Sequence, residues 1–432
     1  MTESTHAFAT QAVHAGTPAD PATGARVTPI YQNTSYVFED SAHAAALFNL
    51  EKVGYIYSRL TNPTVMALQQ RLAALEGGAG ATCTASGHAA QLMTLFALMG
   101  PGDNVVASNR LYGGSLNQFS NAIRKFGWEA RFVDATDPAK VAEAIDAKTK
   151  AVFVEVLANP GGIVLDLAAL AEAAHDNPTG PVPLIVDNTL ATPYLLRPFE
   201  HGADIVVHST TKFLSGQGTA LGGVAVDSGK FDFAAQPDRF PSLARPVPDY
   251  HGMVFTETFG PAALTMFNHA IGLRDLGAAQ SPMNAFLTLS GIETLPLRMA
   301  RHSDNALAVA QWLKRHAAVS WVSYAGLADS PYHALARRYL PRGAGAVFTF
   351  GLKGGYEAGV KVVEGVKLIS HLANIGDTRS LIIHPASTTH RQLPEEGQIA
   401  AGAGPDVVRL SVGIEAVEDI VADLDQAIAN AG

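Results

Sequence analysis

A single cysteine, Cys83, stands among 432 residues, which excludes an intramolecular disulfide and a zinc site built from cysteines. Charge is scarce: 16% of residues are Asp, Glu, Lys or Arg, and 30 Lys and Arg against 39 Asp and Glu leave a net charge of −9. With no basic cluster to neutralise a run of phosphates, no nucleic-acid partner is expected. Long apolar runs are missing as well. Gly77 to Gly102 carries none of the four charged residue types, yet its clearly apolar part is only Ala89 to Met99. The polar, Gly-rich GGAGATCTASGH before it reads as a loop feeding a buried helix, so no membrane partner is expected. Met1 to Ala15 lacks a basic-then-apolar signal pattern, and a cytoplasmic, reduced protein is expected. The 15 His show no HExxH spacing; they read as solvent-facing or helix-end residues, and no metal is expected.

What is present is enough apolar residue, 47%, to bury a substantial core, in a length that suggests roughly two or three domains. Short β-branched runs recur at Asn104 to Ser108, Glu129 to Val133, Ala151 to Val156, Leu184 to Asp187 and Asp204 to His208. Gly114 to Phe126, Pro138 to Ala147 and Leu165 to Ala174 lie between them, each long enough for a crossover helix. Strand and helix alternating at this spacing predict an α/β fold with a mainly parallel, doubly wound sheet. Ligands of such sheets sit beyond the carboxyl ends of the strands, which directs attention to Glu155, Asn159, Asp187 and His208 to Lys212. After Lys212 the pattern loosens into Pro-rich sequence, and a boundary is expected near residue 285. Beyond it, a helical stretch from Thr294 towards Arg315, strand-like Val347 to Phe350 and Val407 to Val412, and helical Tyr356 to Leu368 and Ala416 to Asn430 predict a smaller α+β domain.

A lysine at a strand end between hydroxyl side chains and glycines, as in His208-Ser-Thr-Thr-Lys212, can form a Schiff base; alone it reads better as a surface lysine. Asp187 closes its strand, where a carboxylate can keep a pyridine nitrogen protonated, or simply cap a turn. Ser86, Gly87 and His88 open the helix Ala89 to Met99, whose free N–H groups favour a phosphate, although Ser86 serves as well for an N-cap. The ring of Tyr112 suits stacking on a planar cofactor, or a turn. A phosphate-binding protein without covalent chemistry is the competing class. Gly216-Gln-Gly218 and Gly222-Gly223 lack the Walker pattern, and neither G-x-G-x-x-G nor G-x-S-x-G is completed.

Taken together, Tyr57 to Thr64, Ser86 to Ala90, Tyr112 to Gly114, Glu155 with Asn159-Pro160, Val186 to Thr189, His208 to Lys212, Ser380 to Ala386 and Arg409 to Gly413 resemble one family in order. It is the fold-type I pyridoxal-phosphate enzymes of cysteine and methionine metabolism. The resemblance makes pyridoxal 5′-phosphate the cofactor and Lys212 its Schiff-base lysine. Asp187 becomes the partner of the ring nitrogen, Tyr112 the stacking ring and Asn159 a neighbour of the phenolic oxygen. Ser209, Thr211 and the N–H groups of Gly87 and His88 hold the phosphate, with Ser86 a further cofactor-binding residue. Tyr57 and Arg59 reach the phosphate of the neighbouring subunit, so an N-terminal arm, 1–62, completes a neighbour's site, with a cofactor domain over 63–285 and a C-terminal domain over 286–432. Sites shared in this way imply a homodimer doubled to a homotetramer. Arg409 clamps the substrate α-carboxylate, helped by Ser380 and Asn159.

Within the family, Asp249 to Gly252, Gly272 to Ala278, Ser281 to Phe286 and Gly376 to His390 look like the O-acetylhomoserine sulfhydrylase branch, whose substrates are an O-acylhomoserine with sulfide or a thiol. Arg379 stands where many cystathionine-cleaving members carry an acid, Gln217 where relatives often show His, and His88 where many have Met. O-succinylhomoserine sulfhydrylase, cystathionine gamma-synthase and methionine gamma-lyase are the alternatives.

Overall fold

The structure, a computed structural model, describes residues 6–158, 162–392 and 394–431. A sheet of seven strands comprises β1 (Gly80–Thr84), β2 (Asn104–Ser108), β3 (Glu129–Val133), β4 (Thr149–Glu155), β5 (Leu184–Asp187), β6 (Ile205–Ser209) and β7 (Gly223–Asp227), in the order β1-β7-β6-β5-β4-β2-β3. Neighbouring pairs from β6 to β3 are parallel; β7 runs antiparallel to both β6 and β1. The central strands carry apolar residues in continuous runs because both of their faces are covered. In β4, Val152 and Val154 join one core cluster while Ala151 and Phe153 join the other.

Two strands depart from expectation. The Gly-rich stretch read as a loop contains β1, and β7 lies in the region where the pattern seemed to loosen. Both are short, and β1 is built from Gly, Ala, Thr and Cys, so its buried strand character comes from pairing, Cys83 opposite Val224 for instance, rather than from propensity. The crossover predicted over Gly114 to Phe126 is broken into Gly113–Asn117, a π-type turn Gln118–Ala122 and a final turn Ile123–Phe126.

Helix Pro63–Glu76 shows why a motif can be structural: the Asn62 side chain accepts the N–H groups of Thr64 and Val65, Pro63 sits at the first turn, and Gly77 closes the helix at φ +81°. Helix Pro282–Glu293 packs against it, and residue 285 falls within that helix. After the long helix Leu295–Arg315 comes a second sheet of β8 (Val319–Ser323), β9 (Val347–Leu352), β10 (Ser370–His371), β11 (Leu381–Ile383) and β12 (Val407–Ser411), ordered β10-β11-β12-β9-β8. Helices Gly355–Gly365 and Val417–Ala429 pack on each other, and the first of them also on β9 and β12. Among the described residues no helix is long and apolar enough to cross a membrane.

Candidate functional site

Parallel register brings the ends of β4, β5 and β6 level, pairing Glu155 with Asp187 and Asp187 with Val207. A cavity of about 210 Å³ opens beyond them, lined by Ser86, Gly87, His88, Tyr112, Asp187, Ser209, Thr211 and Lys212 from the first sheet's side and Arg409 from β12. Glu155 lines it as well and accepts the Tyr112 N–H at 2.6 Å, tying the aromatic turn to the end of β4.

One side of the cavity suits an anion. Helix Gly87–Leu98 is capped by Ser86, whose hydroxyl takes the Ala89 N–H at 3.2 Å, so the preceding N–H groups of Gly87 and His88 open its first turn. Glycine is needed at 87: a Cβ there would lie 2.8 Å from that of Ser209. The Thr211 hydroxyl is fixed between the N–H and C=O of Gly222, at 3.1 and 3.2 Å.

Across the cavity the Asp187 carboxylate is held at both oxygens. Its Oδ1 accepts the N–H and hydroxyl of Thr189 at 3.0 and 2.5 Å, and Oδ2 accepts the Gln91 amide at 3.2 Å. Such bonds fix the direction of the carboxylate. The His88 and Tyr112 rings stack at 5.9 Å with 23° between their planes, and burial pushes the imidazole below its ordinary range, which favours its neutral form.

Two cations complete the site. Burial, with the nearby Arg409, lowers the Lys212 ammonium to a pKa of about 8, and burial lowers Arg409 to about 10. Lys212 Nζ donates to Asn374 Oδ1, and the Asn374 main-chain oxygen accepts Arg409 Nη2 at 3.3 Å. A desolvated amine, a fixed carboxylate, an anion-binding helix start and an aromatic face suit the aldehyde, ring nitrogen, phosphate and ring of pyridoxal phosphate.

Other predicted residues lie elsewhere. Ser380 is fully buried, does not line the cavity, and is held by Glu415 and Gly413: its hydroxyl donates to Glu415 at 3.0 Å and accepts the Gly413 N–H at 2.9 Å. Tyr57 and Arg59 also stand outside the lining; the Arg59 guanidinium lies 5.5 Å over the Tyr57 ring and donates to the Arg274 carbonyl. Asn159 falls outside the described residues. Sequence reasoning missed Gln91, Thr189 and Asn374. Thr189 was signalled by the Asx-type turn that an Asp-x-Thr sequence favours; for the other two no local signal exists. The expectation for histidines is corrected at 208, 302 and 384, all fully buried. His208 Nε2 lies 2.6 Å from Glu76 Oε1, which also accepts the Asn188 amide at 3.0 Å, and this buried cluster posts the ends of β5 and β6 on helix Pro63–Glu76.

Comparison with known proteins agrees with this geometry. The family model described as Cys/Met metabolism PLP-dependent enzyme matches residues 9–429. A homocysteine synthase of Schizosaccharomyces pombe is 50% identical over 427 residues, 99% of each chain. An O-acetyl-L-homoserine sulfhydrylase of Leptospira meyeri is 48% identical over 430 residues, 98% of this chain and 96% of that one. A provisionally assigned O-acetylhomoserine (thiol)-lyase of Campylobacter jejuni, solved with N′-pyridoxyl-lysine-5′-monophosphate, superposes with a TM-score of 0.94 at 42% identity, covering 98% of this chain and 100% of that one. A likeness that runs from end to end, in sequence and in backbone, leaves one assignment: the chain belongs to the pyridoxal-phosphate-dependent enzymes of cysteine and methionine metabolism.

Proposed function

We propose that this enzyme replaces the acetoxy group of O-acetyl-L-homoserine by sulfide or methanethiol, giving homocysteine or methionine and acetate. The full-length relatives named for this reaction support it, and one observation of the site favours the acetyl donor. Beside Lys212 and a His88 held towards its neutral form, Arg409 is the only cation among the described lining residues. One guanidinium serves one α-carboxylate as a planar fork. The second carboxylate of a succinyl ester would find no further cation among the described lining residues of its own chain, and in the shared-site reading below the neighbour's Arg59 is engaged by the phosphate.

When bound at Lys212, pyridoxal phosphate supplies an electron sink conjugated with the substrate α-carbon. The chain's own groups do the rest in this reading. Asp187, locked by Thr189 and Gln91, holds a proton at the ring nitrogen, and Tyr112 covers one ring face. Arg409 orients the substrate through its carboxylate. Lys212 as a neutral amine takes the α-proton and then serves the β-position. Acetate departs from the γ-carbon with the C–O electron pair, the thiolate forms the C–S bond at that carbon, and the two protons return.

In this reading the site is shared between subunits, with Tyr57 and Arg59 reaching the neighbour's phosphate in a homodimer that is doubled to a homotetramer. The exposure of Val27, Val37, Phe48 and Val53, at 63, 98, 56 and 91%, supports a partner that covers the arm. The buried thiol of Cys83 suits a reducing cytoplasm.

The test offers O-acetylhomoserine, O-succinylhomoserine and cystathionine separately, with sulfide or methanethiol. Homocysteine or methionine is expected from the acetyl ester, with at least a tenfold preference in kcat/KM, about 1.4 kcal/mol. Equal use of the succinyl ester, or thiol release from cystathionine as the main activity, would overturn the assignment.

A further inference from the structure

The contact between Lys212 and Asn374 joins residues 162 positions apart and is absorbed by none of the roles above. The lysine donates and the amide oxygen faces it, the one direction open to an ammonium. The same residue's main-chain oxygen holds Arg409 at 3.3 Å. One loop residue therefore touches both the amine and the guanidinium that cooperate on the substrate.

That loop is braced from both sides. Gly376 N–H donates to Ser411 Oγ at 2.9 Å, two residues along β12 from Arg409, and Thr378 N–H donates to Gly216 O at 2.8 Å, four residues beyond Lys212. Ile375 is anchored in the core, 5% exposed. Asn374 is thus set at a fixed distance from the lysine and from the arginine, rather than swinging on a free loop.

The chemistry calls for such a partner. In a desolvated cavity beside Arg409, an ammonium formed on taking a proton needs an acceptor if it is to wait in place for the next transfer. A carboxylate there would hold the ammonium too strongly, since an opposite charge at contact raises an amine's pKa. A neutral amide oxygen orients the ammonium and still lets it release the proton. We infer that Asn374 is a positioning residue that holds Lys212 between its proton transfers and ties its position to the carboxylate-binding Arg409. This rests on the reading of Lys212 as the proton-carrying base.

The experiment uses the holoenzyme and two variants. Asn374→Ala should keep its visible cofactor band and a KM for O-acetylhomoserine within about twofold, while kcat and substrate α-proton exchange fall together by about tenfold to a hundredfold. Asn374→Asp keeps the shape and adds a charge, so the acidic limb of the kcat profile, where Lys212 must lose its proton, should move up by about one pH unit. A residue that merely braces the loop would leave that limb in place. Unchanged kcat and exchange in the alanine variant, or an unshifted limb in the aspartate variant, would overturn the inference. Lys212→Ala, run in parallel, separates the two readings: loss of band and turnover there keeps the base assignment whatever Asn374 does, whereas retained turnover sinks both.

Discussion

A lysine amine that must attack an aldehyde is useless while protonated, and the fold answers this by burial rather than by a neighbouring base. Lys212 is desolvated and faces Arg409, so in the unliganded chain it loses its proton near pH 8, where an ordinary lysine would do so near 10.5. The sign of the pH dependence follows. Below about 8 both the folded and the unfolded chain carry this proton, and the burial cost is fully present. Between about 8 and 10.5 the unfolded chain binds more proton than the folded one, so this group raises stability as pH rises. For the same reason the rate at which unliganded protein captures added pyridoxal phosphate, read from growth of the visible band, should climb up to about pH 8 and then level off. A rate still climbing tenfold per unit at pH 9 would mean that the amine is not desolvated. Lys212 and Asp187 were legible in the sequence because Asp187 ends one β-branched run and Lys212 follows another by a short turn, and the end of a parallel strand is a fixed address. Gln91 and Asn374 were not, because what makes them matter is a partner 96 or 162 positions away.

At the level of elements, β2, β4, β5 and β6 could be read because burial on both faces demands apolar, β-branched residues, and the part-buried edge strand β3 because it falls at the same spacing between helices. β1 escaped because Gly80 and Ala81 carry little strand propensity and pairing with β7 at the sheet's edge makes the strand; β7, five residues long between β1 and β6, follows Gly-rich sequence that hides it. The turn from β10 to β11 was equally opaque, yet its Gly376 is required on two counts. Its φ is +74°, and a Cβ there would lie 2.6 Å from the Phe213 nitrogen, one residue after Lys212. Arg298 holds the same segment from the other side, donating to the carbonyls of Phe213 and Leu214 at 2.7 and 3.3 Å. Gly376→Ala should therefore cost about 2–5 kcal/mol, from left-handed strain of about 1–2 kcal/mol and overlap of about 1–3 kcal/mol. Urea unfolding of the unliganded protein measures this, and turnover should fall too as the loop is pushed off the lysine. An unchanged midpoint and kcat would show that the approach of the two segments is looser than it is drawn.

For the whole molecule the question is whether one chain makes one site. The described cavity has its amine, carboxylate, arginine and helix start from a single chain, but Arg59 and Tyr57 stand outside it on an arm that leaves Val37 and Val53 almost wholly exposed. In the shared-site reading proposed above, Arg59 serves the neighbour, and each functional site takes Lys212 from one chain and Arg59 from the other. Arg59→Ala and Lys212→Ala should then each be inactive alone. A mixed pair assembled by subunit exchange holds one site with both residues altered and one with both intact, so mixing should restore activity, up to about a quarter of wild type if chains pair at random. Were Arg59 only a surface cation on its own chain, its contacts would be worth at most about 1 kcal/mol and its alanine variant would turn over nearly normally. A fully active Arg59→Ala enzyme, or mixtures shown by mass spectrometry to exchange subunits yet still inactive, would decide against the shared site. Recovery that appears with exchange and disappears when the chains are kept apart would require that the arm cross between subunits.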